Sequence, residues 1–361
     1  MTLKYTYIII AVVKVPDYTE FFIYDSPMEE IESQTPIERN IAMELVRVTE
    51  AAAMAAARYL GRGNKNIVDS AAVTAMRHVL GYVKMDGIVV IGEGEKDEAP
   101  MLYIGERIGD GSELKVDIAV DPIDGTRSVA RGLPGAISTV ALSKRGSIHC
   151  PWHFVYMNKI ATGPEARGMI DINASVAENL KNIARAKNKR ISEITVVVLD
   201  RPRHEQLLSE IRNAGARVKL ISDGDVAASI EAAMPDREVD ALMGIGGTTE
   251  GVLSAAALRC IGGDIQCKAW PRDDKEIEMA KQAGVDIDRT YRIDDMIDCD
   301  DVFFATTGVS SGDLLKGVRY FSGGAYTQSI AMRCKSGTVR WVDAYHNSER
   351  LDKLSFFKPE K

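Results

Sequence analysis

Apolar residues recur at helical spacing through Ile37, Ile41, Leu45, Val48 and Ala52, the stripe of an amphipathic helix laid on a core. Thr35-Pro36-Ile37-Glu38 supplies its start, with an N-cap hydroxyl, proline at the first helical position and glutamate at the third, the parts of a capping box. Gly61 and Gly63 end the pattern. A second helix is predicted from near Asp69, turning Val73, Met76, Val79 and Leu80 inward. The period then shortens. Runs at 87–91, 116–120 and 137–142 are apolar and β-branched enough to be buried strands. From about residue 165, helices near 176–187, 204–214 and 226–234 alternate with strands at 194–199, 217–222 and 238–243. That alternation is the mark of a layered α/β arrangement. A further strand is expected at 302–305, after an acidic run, Asp294 to Asp301, that reads as a solvated loop.

The first 36 residues follow another pattern. The apolar run from Tyr5 to Val13 lies between Lys4 and Lys14 and is long enough for a signal-peptide core. No small-residue cleavage site follows it, and Ile8, Ile9, Ile10, Val12 and Val13 suit an added strand at least as well. Four regions result: an extension 1–36, halves at 37–164 and 165–345, and a tail 346–361.

Composition narrows the function. A net charge of −7 on 361 residues argues against a nucleic-acid partner, which would want a basic face. No run of 18 apolar residues offers a membrane span, so no membrane partner is expected. The five cysteines form no C-x-x-C pair, which disfavours a zinc knuckle or a disulfide framework and points to a reducing compartment, the cytoplasm. Among the five histidines only His149 and His153 stand four apart, in a loop and without the glutamate of a zinc-hydrolase motif; no serine elbow stands near a histidine, and no Walker A motif is present.

The chemistry collects at strand ends. Ile91-Gly92-Glu93-Gly94-Glu95-Lys96-Asp97-Glu98 places four carboxylates within six residues, and Val120-Asp121-Pro122-Ile123-Asp124-Gly125-Thr126 repeats the device after the next strand. So much negative charge in adjacent loops is costly unless cations neutralise it. Oxygen donors suit Mg²⁺ or Mn²⁺ rather than a soft metal. Pro122 stiffens the second motif, Gly125 permits a sharp turn, and the Thr126 hydroxyl is placed to orient a water.

The D-P-I-D-G-T motif resembles the metal-binding motif of the lithium-sensitive sugar and inositol phosphatase superfamily. More narrowly, Gly61-Arg62-Gly63-Asn64-Lys65-Asn66, the stretch I-G-E-G-E-K-D-E-A-P-M-L-Y-I-G-E from Ile91 to Glu106, Arg201-Pro202-Arg203-His204, Asp223-Gly224-Asp225-Val226-Ala227-Ala228-Ser229-Ile230 and Gly244-Ile245-Gly246-Gly247 with Glu250 resemble class II fructose-1,6-bisphosphatases of the GlpX type. The resemblance runs from about residue 38 to about residue 345. Residues 1 to about 36 have no counterpart in it, and 147–155 is unusual.

The resemblance implies a mixed α/β fold, a layered αβαβα sandwich with the metal site where its halves meet. It implies metal-dependent hydrolysis of the C1 phosphate of fructose 1,6-bisphosphate in gluconeogenesis, and a homo-oligomer, dimer or tetramer. Its metal ligands fall on Asp69, Glu93, Asp121 and Glu250, with Asp124 beside them. Asp69 also reads as the N-cap of a helix beginning at Ser70, and Glu250 as a first-turn glutamate favoured by the helix dipole. Asp124, Gly125 and Thr126 correspond to residues around the cleaved phosphate. Tyr156, Arg201, Pro202, Arg203, Asp223, Gly224, Asp225 and Gly247 correspond to sugar and remote-phosphate contacts. Arg201 and Arg203, held by Pro202, read as a stiff fork for phosphate, and the glycines at 244–247 as a loop presenting N–H groups to an anion. Thr126 would orient the attacking water, Asp97 or Glu95 would take its proton, and Lys65 would add positive charge. A sedoheptulose-1,7-bisphosphatase, an enzyme handling both sugars, and a catalytically silent sugar-phosphate sensor are the alternatives.

Overall fold

The computed structural model describes residues 10–12, 21–23, 41–94 and 101–353. Residues 1–39 form a unit of their own, in which Ile10–Val12 pairs antiparallel with Phe21–Ile23. The rest of the N-terminal apolar run and the capping motif at 35–38 lie outside the described residues.

In the second unit, residues 40–361, the described strands make two sheets. The larger has eight strands in the order Arg319–Phe321, Gly324–Arg333, Phe303–Gly308, Ile137–Lys144, Lys115–Asp124, Asp86–Ile91 and Arg107–Ile108, with Thr338–Asn347 also paired along Gly324–Arg333. Its only parallel pair among the described residues joins Asp86–Ile91 to Lys115–Asp124. The smaller has six, in the order Thr290–Arg292, Asp264–Ala269, Tyr156–Thr162, Ala241–Gly247, Thr195–Leu199 and Arg217–Ile221. Its last three strands run parallel.

Helices fill the layers around these sheets. Ile41–Ala57 and Lys65–Leu80 pack on each other and on the larger sheet. Ala51, Ala52, Ala53 and Ala56 are fully buried along the first of them, so small side chains let backbone and sheet approach closely. Thr248–Ile261 touches strands of both sheets, with Val226–Ala233 packed beside it. Both are alanine-rich and buried on nearly all sides, as helices enclosed within a core must be. Strand alternation divides the smaller sheet between two cores. Val197 and Leu242 face the inner helices with Ile91, Ala141 and Phe304. Val196, Val198, Ala241 and Met243 face Leu180, Ile183 and Ile211 of the outer helices Val176–Ala186 and Glu205–Asn213. The result is the five-layered αβαβα sandwich.

Three local expectations are corrected. The second helix begins at Lys65, capped by Asn64, whose side chain accepts from the Asn66 and Ile67 amides at 3.1 and 3.3 Å. Asp69 therefore stands inside the helix and is not its N-cap. The glycines at 244–247 are strand, not loop, because pairing with Tyr156–Thr162 continues from Ala241 to Gly247. The acidic run from Asp294 is not merely solvated. Arg259 pairs with Asp294 and Asp300 at 2.5 and 2.8 Å, and Arg333 holds Asp301 at 3.0 Å. No helix among the described residues is long and apolar enough to cross a membrane.

Candidate metal and phosphate site

The D-P-I-D-G-T motif ends the strand Lys115–Asp124, where its pairing with Ile137–Lys144 slips between Asp121 and Asp124. Pro122 has no N–H to give the ladder, and the Ile123 amide turns back to donate to Asp121 Oδ1 at 3.0 Å. Such a bulge re-aims side chains at a sheet end. Gly125 follows with φ +103°, in the left-handed region, and a helix opens at Thr126. The Thr126 hydroxyl donates to the Ile123 carbonyl at 3.1 Å, which leaves its oxygen lone pairs to accept from a ligand.

Other elements bring carboxylates towards this turn. Asp124 Oδ2 accepts from the Val226 amide at 3.0 Å. Glu250 stands in the first turn of Thr248–Ile261 and accepts from the Thr249 hydroxyl at 2.8 Å. Asp225, nearly fully buried, pairs with the fully buried Lys159 at 2.6 Å. Burial pushes the Asp121 carboxyl well up, and the charges of Asp124, Glu250 and Glu93 push it further. Asp124 is raised in the same way, by burial first and then by Asp225 and Glu250. Glu93 rises to about 7 through burial and then the charge of Asp69. Asp69 is raised by burial against the opposing charge of Lys65. The five expected ligands thus form one electrostatically connected group.

This group is short of positive charge, and its donors are all oxygens. Asp225 Oδ1, buried, makes no hydrogen bond. Close packing shapes the surroundings too, since a Cβ on Gly247 would lie 1.9 Å from Glu250 Oε2. At Gly224, φ +76°, a Cβ would lie 3.1 Å from the Asp124 carboxylate. The residues fit a hard divalent cation by chemistry, although among the described residues no three His, Cys, Asp or Glu side chains already close into a finished cage.

The two arginines of the expected fork go separate ways. Arg201 donates to the Ser222 carbonyl at 2.7 Å and pairs with Asp223 at 3.0 Å. Asp223 also accepts from the Arg127 amide at 3.2 Å. Arg203 donates to the Ile245 carbonyl at 2.8 Å and lies over the Tyr156 ring, 5.1 Å from its centre. Pro202 sits in the short 3₁₀ turn between them. Lys65 is exposed at its helix start, while Glu95 and Asp97 lie outside the described residues.

Sequence reasoning missed Lys159, whose signal was a lone charge within an apolar strand, Tyr156–Thr162. His204, to which the sequence assigned no chemistry, has a structural task. The Ile245 amide donates to Nε2 at 2.7 Å, so Nδ1 carries the proton given to the Leu199 carbonyl at 2.7 Å.

Comparison with known proteins follows from this geometry. The family model for bacterial fructose-1,6-bisphosphatase, glpX-encoded, matches residues 39–346. Fructose-1,6-bisphosphatase 1 class 2 of Escherichia coli (strain K12) is 45% identical over 328 residues, covering 87% of this chain and 97% of its own. Fructose-1,6-bisphosphatase class 2 of Shigella flexneri matches with the same identity and coverage. Among solved structures, the extragenic suppressor protein SuhB from Bartonella henselae aligns with a TM-score of 0.31 at 12% identity, over 54% of this chain and 71% of that one.

Proposed function

The chain belongs to the glpX-encoded family of bacterial fructose-1,6-bisphosphatases, and we propose that its carboxylate group removes the C1 phosphate of fructose 1,6-bisphosphate, yielding fructose 6-phosphate and phosphate. The observation that carries this reading is the position of Asp121, half-buried at the strand end, its carboxyl raised by desolvation and then by the charges of Asp124, Glu250 and Glu93 together. Such a concentration of negative charge has no structural benefit and suits a site completed by divalent cations.

Asp69, Glu93, Asp121, Asp124 and Glu250 would hold Mg²⁺ or Mn²⁺. An ion of that kind supplies charge neutralisation at the phosphoryl oxygens, acidification of the attacking water and stabilisation of the leaving oxygen. The chain's own residues do the rest. Thr126, its proton engaged by the Ile123 carbonyl, accepts from the attacking water and fixes its line of approach. Asp97 or Glu95 takes the water's proton. Gly125 lets the backbone approach the cleaved phosphate. Arg201 and Arg203 serve the remote phosphate from one turn, anchored on different partners, with Tyr156 beneath the Arg203 guanidinium. Asp225 accepts from sugar hydroxyls, with Gly224 and Gly247 leaving room for the sugar, and Lys65 adds positive charge at the rim. The free cysteines suit a reducing compartment such as the cytoplasm, and the product, fructose 6-phosphate, suits a gluconeogenic role.

The test is phosphate release from fructose 1,6-bisphosphate in Mn²⁺, Mg²⁺ and EDTA, beside Asp121→Asn, with sedoheptulose 1,7-bisphosphate in parallel. Cation-dependent release lost in the variant supports the reading. Tight binding of the bisphosphate without release would replace it with a sensor.

A further inference from the structure

Lys159 projects from the middle strand of the smaller sheet and is fully buried. A lysine is almost never enclosed unless its charge is paired. Here the ammonium has two partners, Asp225 Oδ2 at 2.6 Å and the Gly247 carbonyl at 2.9 Å. The first lies at the start of one inner helix, the second immediately before the other. The contact is too tight to tolerate a side chain between its members. A Cβ on Gly246 would lie 1.9 Å from Asp225 Oδ2 and 2.8 Å from Lys159 Nζ. One Asp225 oxygen is thereby consumed, while Oδ1 has no hydrogen bond.

We infer that Lys159 is a positioning residue for sugar recognition: it grips one oxygen of Asp225 and so aims the other at a substrate hydroxyl. The inference rests on the phosphatase reading for the identity of the sugar. Lys159 touches no substrate itself and acts through Asp225. The start of the Glu250 helix, where Lys159 holds the Gly247 carbonyl, has anchors of its own: the Thr248 amide donates to the Val155 carbonyl at 3.0 Å and the Thr248 hydroxyl to the Phe154 carbonyl at 2.6 Å. Removing Lys159 should therefore disturb the sugar side of the site and spare the phosphoryl side. A lysine that served only as structural filler would affect both sides together.

The experiment compares wild type, Lys159→Met, Asp225→Asn and Lys159→Met/Asp225→Asn. Calorimetry measures binding of fructose 6-phosphate and of inorganic phosphate in Mg²⁺, and kinetics measures fructose 1,6-bisphosphate hydrolysis. Lys159→Met is expected to weaken fructose 6-phosphate binding at least tenfold and to raise KM similarly, with kcat and phosphate binding within threefold of wild type. The double variant, which leaves no orphaned charge and so guards against misfolding, is expected to match Asp225→Asn. Unchanged fructose 6-phosphate binding, a parallel loss of phosphate binding and kcat, or a further tenfold loss in the double variant would overturn the inference. A wild type that binds fructose 6-phosphate but releases no phosphate would sink the phosphatase reading and leave this comparison decisive. One that binds no fructose 6-phosphate overturns both.

Discussion

The Val226 amide donates to Asp124 Oδ2 over 3.0 Å, tying the last residue of a strand in the larger sheet to the first residue of a helix packed on the smaller one. The bond steadies Asp124 where Asp225 and Glu250 repel it. Asp124→Asn keeps an acceptor for Val226 and deletes the repulsion. In EDTA the variant should be more stable by about 1–2 kcal/mol, raising Tm by about 2–4 °C for each kcal/mol, while losing activity at least ~100-fold. Calorimetry without cations decides the first point; a Tm at or below wild type would contradict it.

Gly246 tests the packing around Asp225. The Cβ of Gly246→Ala would overlap Asp225 Oδ2 and crowd Lys159 Nζ, both enclosed and unable to step aside. The expected cost is about 1–3 kcal/mol in stability, typical of overpacking, together with at least ~10-fold weaker sugar binding. Denaturant unfolding and fructose 6-phosphate titration measure the two effects; an unperturbed variant would show that the Lys159–Asp225 contact has slack.

Much of this architecture was legible in local pattern. The helices at 176–187 and 226–234 and the strands at 116–120 and 137–142 fall close to Val176–Ala186, Val226–Ala233, Lys115–Asp124 and Ile137–Lys144, because their apolar periodicity is strong and burial enforces it. Misreadings arose where tertiary context outweighs propensity. Gly244, Gly246 and Gly247 have loop-like character, yet the neighbouring strand Tyr156–Thr162 holds them in the ladder. Asp69 resembles a cap, yet Asn64 captures the helix start. The carboxylates Asp121, Asp124 and Glu250 could be named from motifs, but their convergence depends on a bulge and two inner helices whose placement no local pattern encodes. The role of Lys159 was hidden for the same reason, although its lone charge stood out in the strand: its partners are 66 and 88 residues away.

Asp223 illustrates how occupied a recognition residue can be. Its two oxygens already serve Arg201 at 3.0 Å and the Arg127 amide at 3.2 Å. Asp223→Ala would release the Arg201 guanidinium and the loop together, and is expected to raise KM for the bisphosphate about tenfold, or ~1.4 kcal/mol. Asp223→Asn, which retains one acceptor, should lose less. Steady-state kinetics with both variants checks the order; equal effects would mean the charge, not the geometry, is what Arg201 needs.

Outside the carboxylate group, Glu50 gives the fold its own pH dependence. It is buried on the first helix of the larger sheet, accepts from the Thr327 hydroxyl at 3.1 Å and lies 3.7 Å from His346 Nε2. The other charge facing it is Arg47. Burial raises its carboxyl from 4.5 to about 7, against the lowering effects of Thr327 and Arg47, and burial lowers His346, so neither group supplies a charge that the other needs. The native state therefore holds the Glu50 proton more tightly than the unfolded chain does. Its contribution to stability is greatest below about pH 4.5, declines as pH rises towards 7 and is constant above. Glu50→Gln keeps the shape and the acceptor without the ionisation. Relative to wild type it should gain little near pH 5 and up to about 3 kcal/mol at pH 8. Urea unfolding of both proteins at the two pH values measures the difference; a gain that did not grow with pH would show that Glu50 ionises freely in the native fold.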